Sequence, residues 1–195
     1  MGDPMDKDQR RRLKQQYRKA ASQQAVSEAR KEVDRQARHW GIVWDYLDRA
    51  SAEQLHVYAA WSNYDGNIPG IRYLADCPRL ALGTAVMLFW QLGADYLTRL
   101  SGDELQDHQR ERLALLRLIE RRAVEGFYQP DAIAFDPHTG CESPGEYERL
   151  GPPLHAIARC MCEPVRGTLQ IDLAEAARRY DQGLAGDVSA ALRAL

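Results

Sequence analysis

The stretch from Leu80 to Leu97 is apolar on nearly every side, and it constrains the fold more than any other part of this 195-residue chain. Apolar side chains occupy most positions between Leu80 and Leu92. A helix without a polar face is normally buried. Arg79 before the stretch and Asp95 near its end leave an uncharged run too short for a membrane span. The pattern therefore predicts a central core helix over residues 80–97.

Helix start patterns recur on both sides of this core helix. A Ser or Asp followed three residues later by Gln or Glu is typical of a helix N-terminus. The pairs are Ser51 with Gln54, Ser101 with Glu104, Ser143 with Glu146, and Asp172 with Glu175. They predict helices that start near residues 52, 102, 144 and 173. The third runs to about Cys162, and the last runs to about Gln182 or, beyond a kink at Gly183 to Gly186, to the C-terminus. Because no series of alternating apolar and polar residues indicates a sheet, we expect an all-α fold, a compact multi-helix domain with a long N-terminal helix.

The N-terminal helix is predicted from the absence of proline between Met5 and Leu47. Val33, Ala37, Trp40, Trp44 and Leu47 recur at steps of four and three, which is the stripe of a coiled coil. We expect residues 1–40 to form a basic, polar helix that projects in part, and residues 41–195 to form a helical globular domain with its core at 51–99. The stripe packs either on its own domain, on a partner protein, or on a second copy in a homodimer.

Charge is distributed unevenly along the chain. Residues 1–40 contain 11 Lys and Arg against 6 Asp and Glu, which gives them a net charge of +5. Because the whole chain has a net charge of −2, residues 41–195 carry −7. A basic arm indicates an anionic partner such as nucleic acid. Acidic residues are interleaved with the basic ones, and no interleaved aromatic residues offer base stacking, so a solvated helix face is favoured over nucleic-acid binding.

The number of cysteines and the absence of two sequence motifs predict the localisation of the protein and its cofactor content. The chain has no apolar leader with a cleavage site, and its four cysteines are too few for a disulfide scaffold, so we expect a cytoplasmic protein without membrane attachment. No glycine-rich loop is present to hold phosphate, and the sequence predicts no cofactor.

Two clusters carry ligand-type side chains. His138, Cys141, Cys160 and Cys162 are soft metal ligands, but their spacing matches no standard zinc motif and favours no metal. Asn63, Asp65 and Gly66 resemble part of a calcium loop in composition. Because the terminal bidentate Glu is missing, a turn between two helices is favoured instead.

The core stretch resembles the bacterial domain-of-unknown-function family 4274. The residues that carry the resemblance are Trp61, Asn63, Asp65, Gly66, Ile68-Pro69, Cys77, Leu82-Gly83-Thr84-Ala85 and Leu88-Phe89-Trp90. It covers about 45 residues and extends more weakly to Phe135-Asp136-Pro137. Tyr64 stands where the family pattern has an aromatic residue, and one acidic position of the family's turn is absent.

The resemblance implies a binding protein. Members look like companions of toxin and secretion loci, including type VI secretion, where small cytosolic proteins serve as immunity proteins. The resemblance therefore implies a cognate toxin or effector as partner, which the protein occludes, and no enzymatic activity. Asn63, Asp65, Gly66 and Asp136 are the candidate residues for partner binding or for the structure of the turn.

Two other functions remain open from the residues alone. One is a regulatory or assembly protein whose basic N-terminal helix binds nucleic acid or a secretion component. The other is a small-molecule enzyme at the Asn63/Asp65 turn, which uses a carboxylate from the later loop and predicts a concave polar pocket there.

Overall fold

Helices make up most of the structure, which confirms the all-α prediction. The computed structural model describes residues 7–139, 143–149 and 154–195. Its helices are α1 (Lys7–Arg49), α2 (Ala52–Trp61), α3 (Ile68–Asp76), α4 (Leu82–Gln91), α5 (Ala94–Leu97), α6 (Asp107–Val124), α7 (Pro144–Arg149), α8 (Leu173–Arg179) and α9 (Gly186–Arg193). Two 3-10 turns lie at Pro137–Thr139 and Arg159–Met161. In the part of the chain that is described, no helix is both long and apolar enough to cross a membrane.

Helix α1 is long, and only its C-terminal end enters the core. Residues 21–38 are exposed all round. Val43 and Leu47, by contrast, are 2% and 0% exposed. Arg79 holds this end of the helix, since its guanidinium donates hydrogen bonds of 2.9–3.0 Å to the carbonyls of Leu47, Asp48 and Ala50. The C-terminal end of α1 is therefore fixed on the domain while residues 21–38 extend from it.

Helices α2 and α4 form the centre of the core. The capping box at Ser51 is present, because the Ser51 hydroxyl accepts from the Gln54 amide and the Gln54 side chain accepts from the Ser51 amide. Every residue from Gly83 to Trp90 is buried. The indole of Trp90 donates a 2.7 Å hydrogen bond to the carbonyl of Met161, so the one polar atom of this large side chain is satisfied.

The predicted helix over residues 80–97 is wrong in its extent. Gly93 has a φ of 86°, a left-handed conformation that ends α4, and the short helix α5 starts again at Ala94. The helix predicted from residue 102 likewise starts later, at Asp107, where Gln106 and Gln109 form the capping box. The Ser101–Glu104 pair makes its hydrogen bonds but closes a turn before the helix.

The C-terminal third contains short strands that the sequence did not predict. Strand β1 (Asp131–Ile133) pairs in parallel with β2 (Gly167–Leu169), and β1 packs against α4. Strands β3 (Tyr180–Asp181) and β4 (Leu184–Ala185) form an antiparallel hairpin between α8 and α9. Helix α8 starts at the predicted Asp172 cap but ends at Arg179, because the chain turns into this hairpin. The helix predicted from residue 144 ends at Arg149, and residues 159–161 form a 3-10 turn instead.

Candidate protein-binding site

A groove of about 470 Å³ opens where α1 meets the C-terminal end of α2. We call it the tryptophan groove. Its lining residues come from α1, α2, the following turn, the β3–β4 hairpin and α9, and they are His39, Trp40, Val43, Tyr58, Trp61, Ser62, Asn63, Gly66, Asn67, Gln182, Leu184 and Leu192. Half of the lining residues are aromatic or aliphatic, and the other half are polar residues and one glycine. None of these residues is Asp or Glu.

Two tryptophans define the mouth of the groove. Trp61 is the last residue of α2, and 46% of its surface is exposed. Trp40 stacks on Trp44 with ring centroids 4.8 Å apart, and Trp44 stacks on Tyr73 of α3 at 5.2 Å. The Tyr73 hydroxyl in turn donates a hydrogen bond to the Asp48 carboxylate. This stack holds Trp40 in place, whereas Trp61 presents nearly half of its indole to solvent.

The floor of the groove is a hydrogen-bonded cluster. The Asn67 amide donates to the Tyr58 hydroxyl at 2.9 Å and to the Ser62 hydroxyl at 3.0 Å. The Ser62 hydroxyl donates to the carbonyl of Tyr58 at 2.7 Å. Burial raises the pKa of the Tyr58 phenol, and the hydrogen bond to Asn67 opposes that rise. Tyr58 therefore stays protonated, and the floor carries no charge at neutral pH.

The predicted turn at Asn63, Asp65 and Gly66 forms one rim. The Asn63 side chain accepts a 3.1 Å hydrogen bond from the Asp65 amide, and the Asn63 carbonyl accepts from the amides of Gly66 and Asn67. The Asp65 carboxylate pairs with Arg112 of α6, which also donates to the carbonyl of Tyr64. Asn63 and Gly66 line the groove, while Asp65 ties the turn to α6.

The opposite wall was missed by the sequence analysis. Gln182 and Gly183 form the tip of the β3–β4 hairpin with φ of 50° and 80°. Gly183 lies so close to α2 that a Cβ there would be 2.7 Å from the Cα of Tyr58. Leu184, 9% exposed, follows the tip. A Gly between two short apolar runs is typical of a hairpin, but nothing in the sequence says which surface the tip contacts.

A second groove of about 480 Å³ lies between α1 and α9. Asp45, Arg49 and Asp187 line it together with aliphatic residues. The hydroxyl of Tyr46, which also lines it, is buried, and no hydrogen bond to it is found among the described residues. Its one aromatic lining residue, Tyr46, is only 7% exposed, whereas Trp61 is 46% exposed, so we regard the tryptophan groove as the better candidate for protein binding.

Among the described residues, the candidate metal ligands do not form a site. The His138 ring donates through Nε2 to the carbonyl of Cys162 at 3.0 Å. Burial raises the pKa of Cys160 and raises that of Cys162 to about 11, which keeps both thiols protonated. Cys141 lies outside the described residues. Within them, no group of three or more His, Cys, Asp or Glu side chains is placed to hold a metal ion.

Asp136 is not part of the tryptophan groove. Its carboxylate accepts a 2.9 Å hydrogen bond from the His138 amide and its carbonyl accepts from the Thr139 hydroxyl, so it caps a 3-10 turn. Asn63 lines the tryptophan groove, and Asp136 does not. No acidic residue lines the tryptophan groove.

Residues 50–124 match the model of a family described as a domain of unknown function, DUF4274. The match starts at the end of α1 and ends at the last residue of α6, so it includes Trp61 and the turn but not the hairpin wall. Comparisons with curated proteins and with solved structures gave no match.

Proposed function

The segment 50–124 belongs to the DUF4274 family, and from this premise we propose that the protein is an immunity-type binding protein of the cytoplasm, which neutralises a cognate toxin or effector by occluding it. The observation that carries the proposal is the exposed Trp61 at the mouth of an uncharged, aromatic groove. Exposed aromatic side chains beside a concave surface are typical of protein-binding sites.

The shape of the groove supports protein binding over small-molecule chemistry. Its walls come from five separate parts of the chain, and the polar atoms of Tyr58, Ser62 and Asn67 on its floor are used in internal hydrogen bonds. Such a surface offers area and aromatic contact rather than a reactive group. Occlusion of a toxin needs only this, because a protein that covers an active site blocks it without any chemistry.

The test is growth rescue in a heterologous host that expresses the toxin candidate encoded beside this gene. We expect the wild-type protein to restore growth. Trp61→Ala should lose rescue, because truncation of an interface tryptophan typically costs 2 kcal/mol or more, roughly a 30-fold loss of affinity. Tyr96→Ala is the matched control, since Tyr96 is an exposed aromatic residue (54%) on α5 that does not line the groove.

Circular dichroism of both variants separates loss of binding from loss of fold. A neighbouring gene product that is not toxic, or rescue that survives Trp61→Ala in a folded protein, would contradict the proposal.

The exposed N-terminal helix favours a second candidate function. Arg30 and Lys31 make no ion pair in the described structure and lie on the exposed part of α1, where nucleic acid or a secretion component can contact them. Nucleic-acid binding releases counterions and weakens steeply with salt. Gel-shift affinity for duplex and single-stranded DNA, measured at two salt concentrations and with residues 1–38 deleted, distinguishes this function from toxin binding.

A further inference from the structure

We propose that the N-terminal part of α1, residues 7–19, binds the phosphate backbone of a nucleic-acid duplex without reading its base sequence. We call these residues the basic segment. The proposal rests on nucleic-acid binding as the second candidate function, and it adds where the contact lies and which form of nucleic acid fits it.

The basic segment holds most of the positive charge of α1. Its seven Lys and Arg and its single Asp give it a net charge of +6, whereas residues 20–40 contain four basic and three acidic residues. Five of the six acidic residues within positions 1–40 lie outside the basic segment. Because the thirteen residues span only about 20 Å of helix, this density of like charge attracts a polyanion.

Helical geometry places most of these basic residues on one face. At about 100° per residue, five of the seven occupy positions within one sector of about 100°, namely Lys7, Arg10, Arg11, Lys14 and Arg18. The five positions extend over about 16 Å along the helix axis. Duplex DNA carries one negative charge per about 1.7 Å of its axis, so a row of this length can lie opposite several phosphates.

The exposed middle of α1 separates the basic segment from an acidic domain. Residues 41–195 carry a net charge of −7, which repels a polyanion. Residues 21–38 are exposed, and they put about 27 Å of helix between the basic segment and the domain. Since the Debye length is about 8 Å at physiological ionic strength, the charge of the domain is screened at that distance. A duplex can therefore approach the basic segment without repulsion from the domain.

The composition of the basic segment disfavours a membrane surface as the anionic partner. The positions opposite the basic face are polar or small, and they are Gln9, Arg12, Gln16, Lys19, Ala20 and Gln23. Leu13 and Tyr17 are the only large apolar residues between Lys7 and Ala25. A helix that lies on a membrane needs a continuous apolar face, which this arrangement does not supply.

The same composition favours a duplex over an acidic protein or a single strand. The core of a protein–protein interface is apolar and poor in charge, whereas interfaces with nucleic acid are more polar and much more positive. Single strands are held by bases that stack on aromatic side chains, and Tyr17 is the one aromatic residue of the basic segment. Contact with the phosphates of a duplex needs cations alone.

The test is fluorescence anisotropy of the full-length protein with labelled duplex DNA, duplex RNA and single-stranded DNA, measured at several salt concentrations. We expect a duplex to bind with a dissociation constant on the order of 1–10 µM at about 50 mM salt. Five phosphate contacts predict a slope of about −4 to −5 in a plot of log affinity against log salt concentration. The duplex that binds more tightly identifies DNA or RNA as the source of the phosphates.

Two variants of equal charge locate the contact. Arg10→Gln/Arg11→Gln should weaken duplex binding at least tenfold and make the salt slope shallower by about 2, because two contacts are lost while Gln keeps good helix propensity. Arg121→Gln/Arg166→Gln is the matched control. Arg121 and Arg166 are exposed, lie outside α1, and have no ion pair in the described part of the chain, so this variant should bind as the wild type does.

Four results overturn the proposal: an equal loss in both double variants, tighter binding of the single strand than of either duplex, no duplex binding, or duplex binding that does not depend on salt. Vesicles that contain phosphatidylserine and compete with the duplex for the protein would assign the basic segment to a membrane surface, which overturns it as well.

Trp61→Ala separates this proposal from toxin binding. The variant should bind the duplex as the wild type does, since Trp61 lies in the tryptophan groove and not on α1. Duplex binding without growth rescue would refute immunity and leave the role of the basic segment in place. Growth rescue without duplex binding would refute only the role of the basic segment.

Discussion

At the scale of single residues, two positions show how a side chain or its absence determines packing. His56 is 3% exposed in the core, and its Nδ1 lies 2.9 Å from the Thr84 hydroxyl. Gly183, at the hairpin tip, touches the backbone of α2. His56 lies in helix α2 and Gly183 at the tip of the β3–β4 hairpin. What each contributes to stability depends on its contact with another element, α4 for His56 and α2 for Gly183.

His56 makes stability depend on pH. Burial lowers its pKa from 6.5 to about 4, so the folded chain binds this proton more weakly than the unfolded chain does. Between pH 6.5 and 4 the unfolded state holds more protons, and the free energy of unfolding falls as pH is lowered, by up to about 3 kcal/mol from this group. Urea unfolding at several pH values measures the slope. His56→Gln should flatten it, and an unchanged slope would refute this assignment.

Gly183→Ala should destabilise the protein by about 2–4 kcal/mol. The φ of 80° strains any L side chain, and the added Cβ would lie 2.7 Å from the Cα of Tyr58. Gly93→Ala is the matched control, because Gly93 has a φ of 86° but nothing within 4 Å of the added atom. It should cost only the conformational strain, about 1 kcal/mol. If urea unfolding gives equal losses in the free energy of unfolding for the two variants, the close contact with α2 adds nothing to the cost of Gly183→Ala.

At the scale of elements, arginines close the C-terminal ends of helices. Arg79 reaches three carbonyls at the end of α1, and Arg122 donates to the Ala75 carbonyl and the Asp76 carboxylate at the end of α3. Free carbonyls and the helix dipole make such ends favourable sites for a cation. In α1 the contact also sets where the long helix leaves the domain, and therefore the position of the groove.

Arg79→Met should lower the free energy of unfolding by about 1–2 kcal/mol, a modest loss because the side chain is exposed. Thermal unfolding is the measurement. Arg121→Met, at an exposed position of α6 for which no ion pair or hydrogen bond is described, should leave the melting temperature unchanged. Arg79→Lys should recover only part of the loss, since an ammonium cannot reach three carbonyls with the same geometry.

At the scale of the whole molecule, the projecting helix and the C-terminal hairpin have opposite roles. Residues 21–38 are exposed, so they contribute little to the core. Helix α9 packs against α1, and the β4 strand packs against α2, so the C-terminal segment contributes to the core as well as to the groove.

Deleting residues 1–38 should leave the cooperative unfolding transition of the domain in place, with a midpoint in urea close to that of the full chain. Deleting residues 172–195 should lower the midpoint strongly, because it uncovers the packed side of α1 and α2. Chemical denaturation followed by tryptophan fluorescence compares the two. A large loss of domain stability in the first deletion would show that the exposed helix packs on the domain in solution.

The sequence by itself determined the helical class, the buried helix at the centre and several helix N-termini. These properties depend on local periodicity and on side chains within three residues of one another, as at Ser51 and Asp172. The family of residues 50–124 was recognisable for a similar reason, since its pattern lies in one continuous stretch.

Only the tertiary structure decided where Trp40, Trp61 and the hairpin tip meet, and that Asp136 lies apart from Asn63. Those relations join residues on different elements, from 21 to 142 positions apart, and no short-range pattern encodes them. The early end of α4 at Gly93 and the pairing of β1 with β2 have the same origin. A glycine takes a left-handed conformation, and a short strand finds a partner, only when the packing of distant segments makes that arrangement the most stable one.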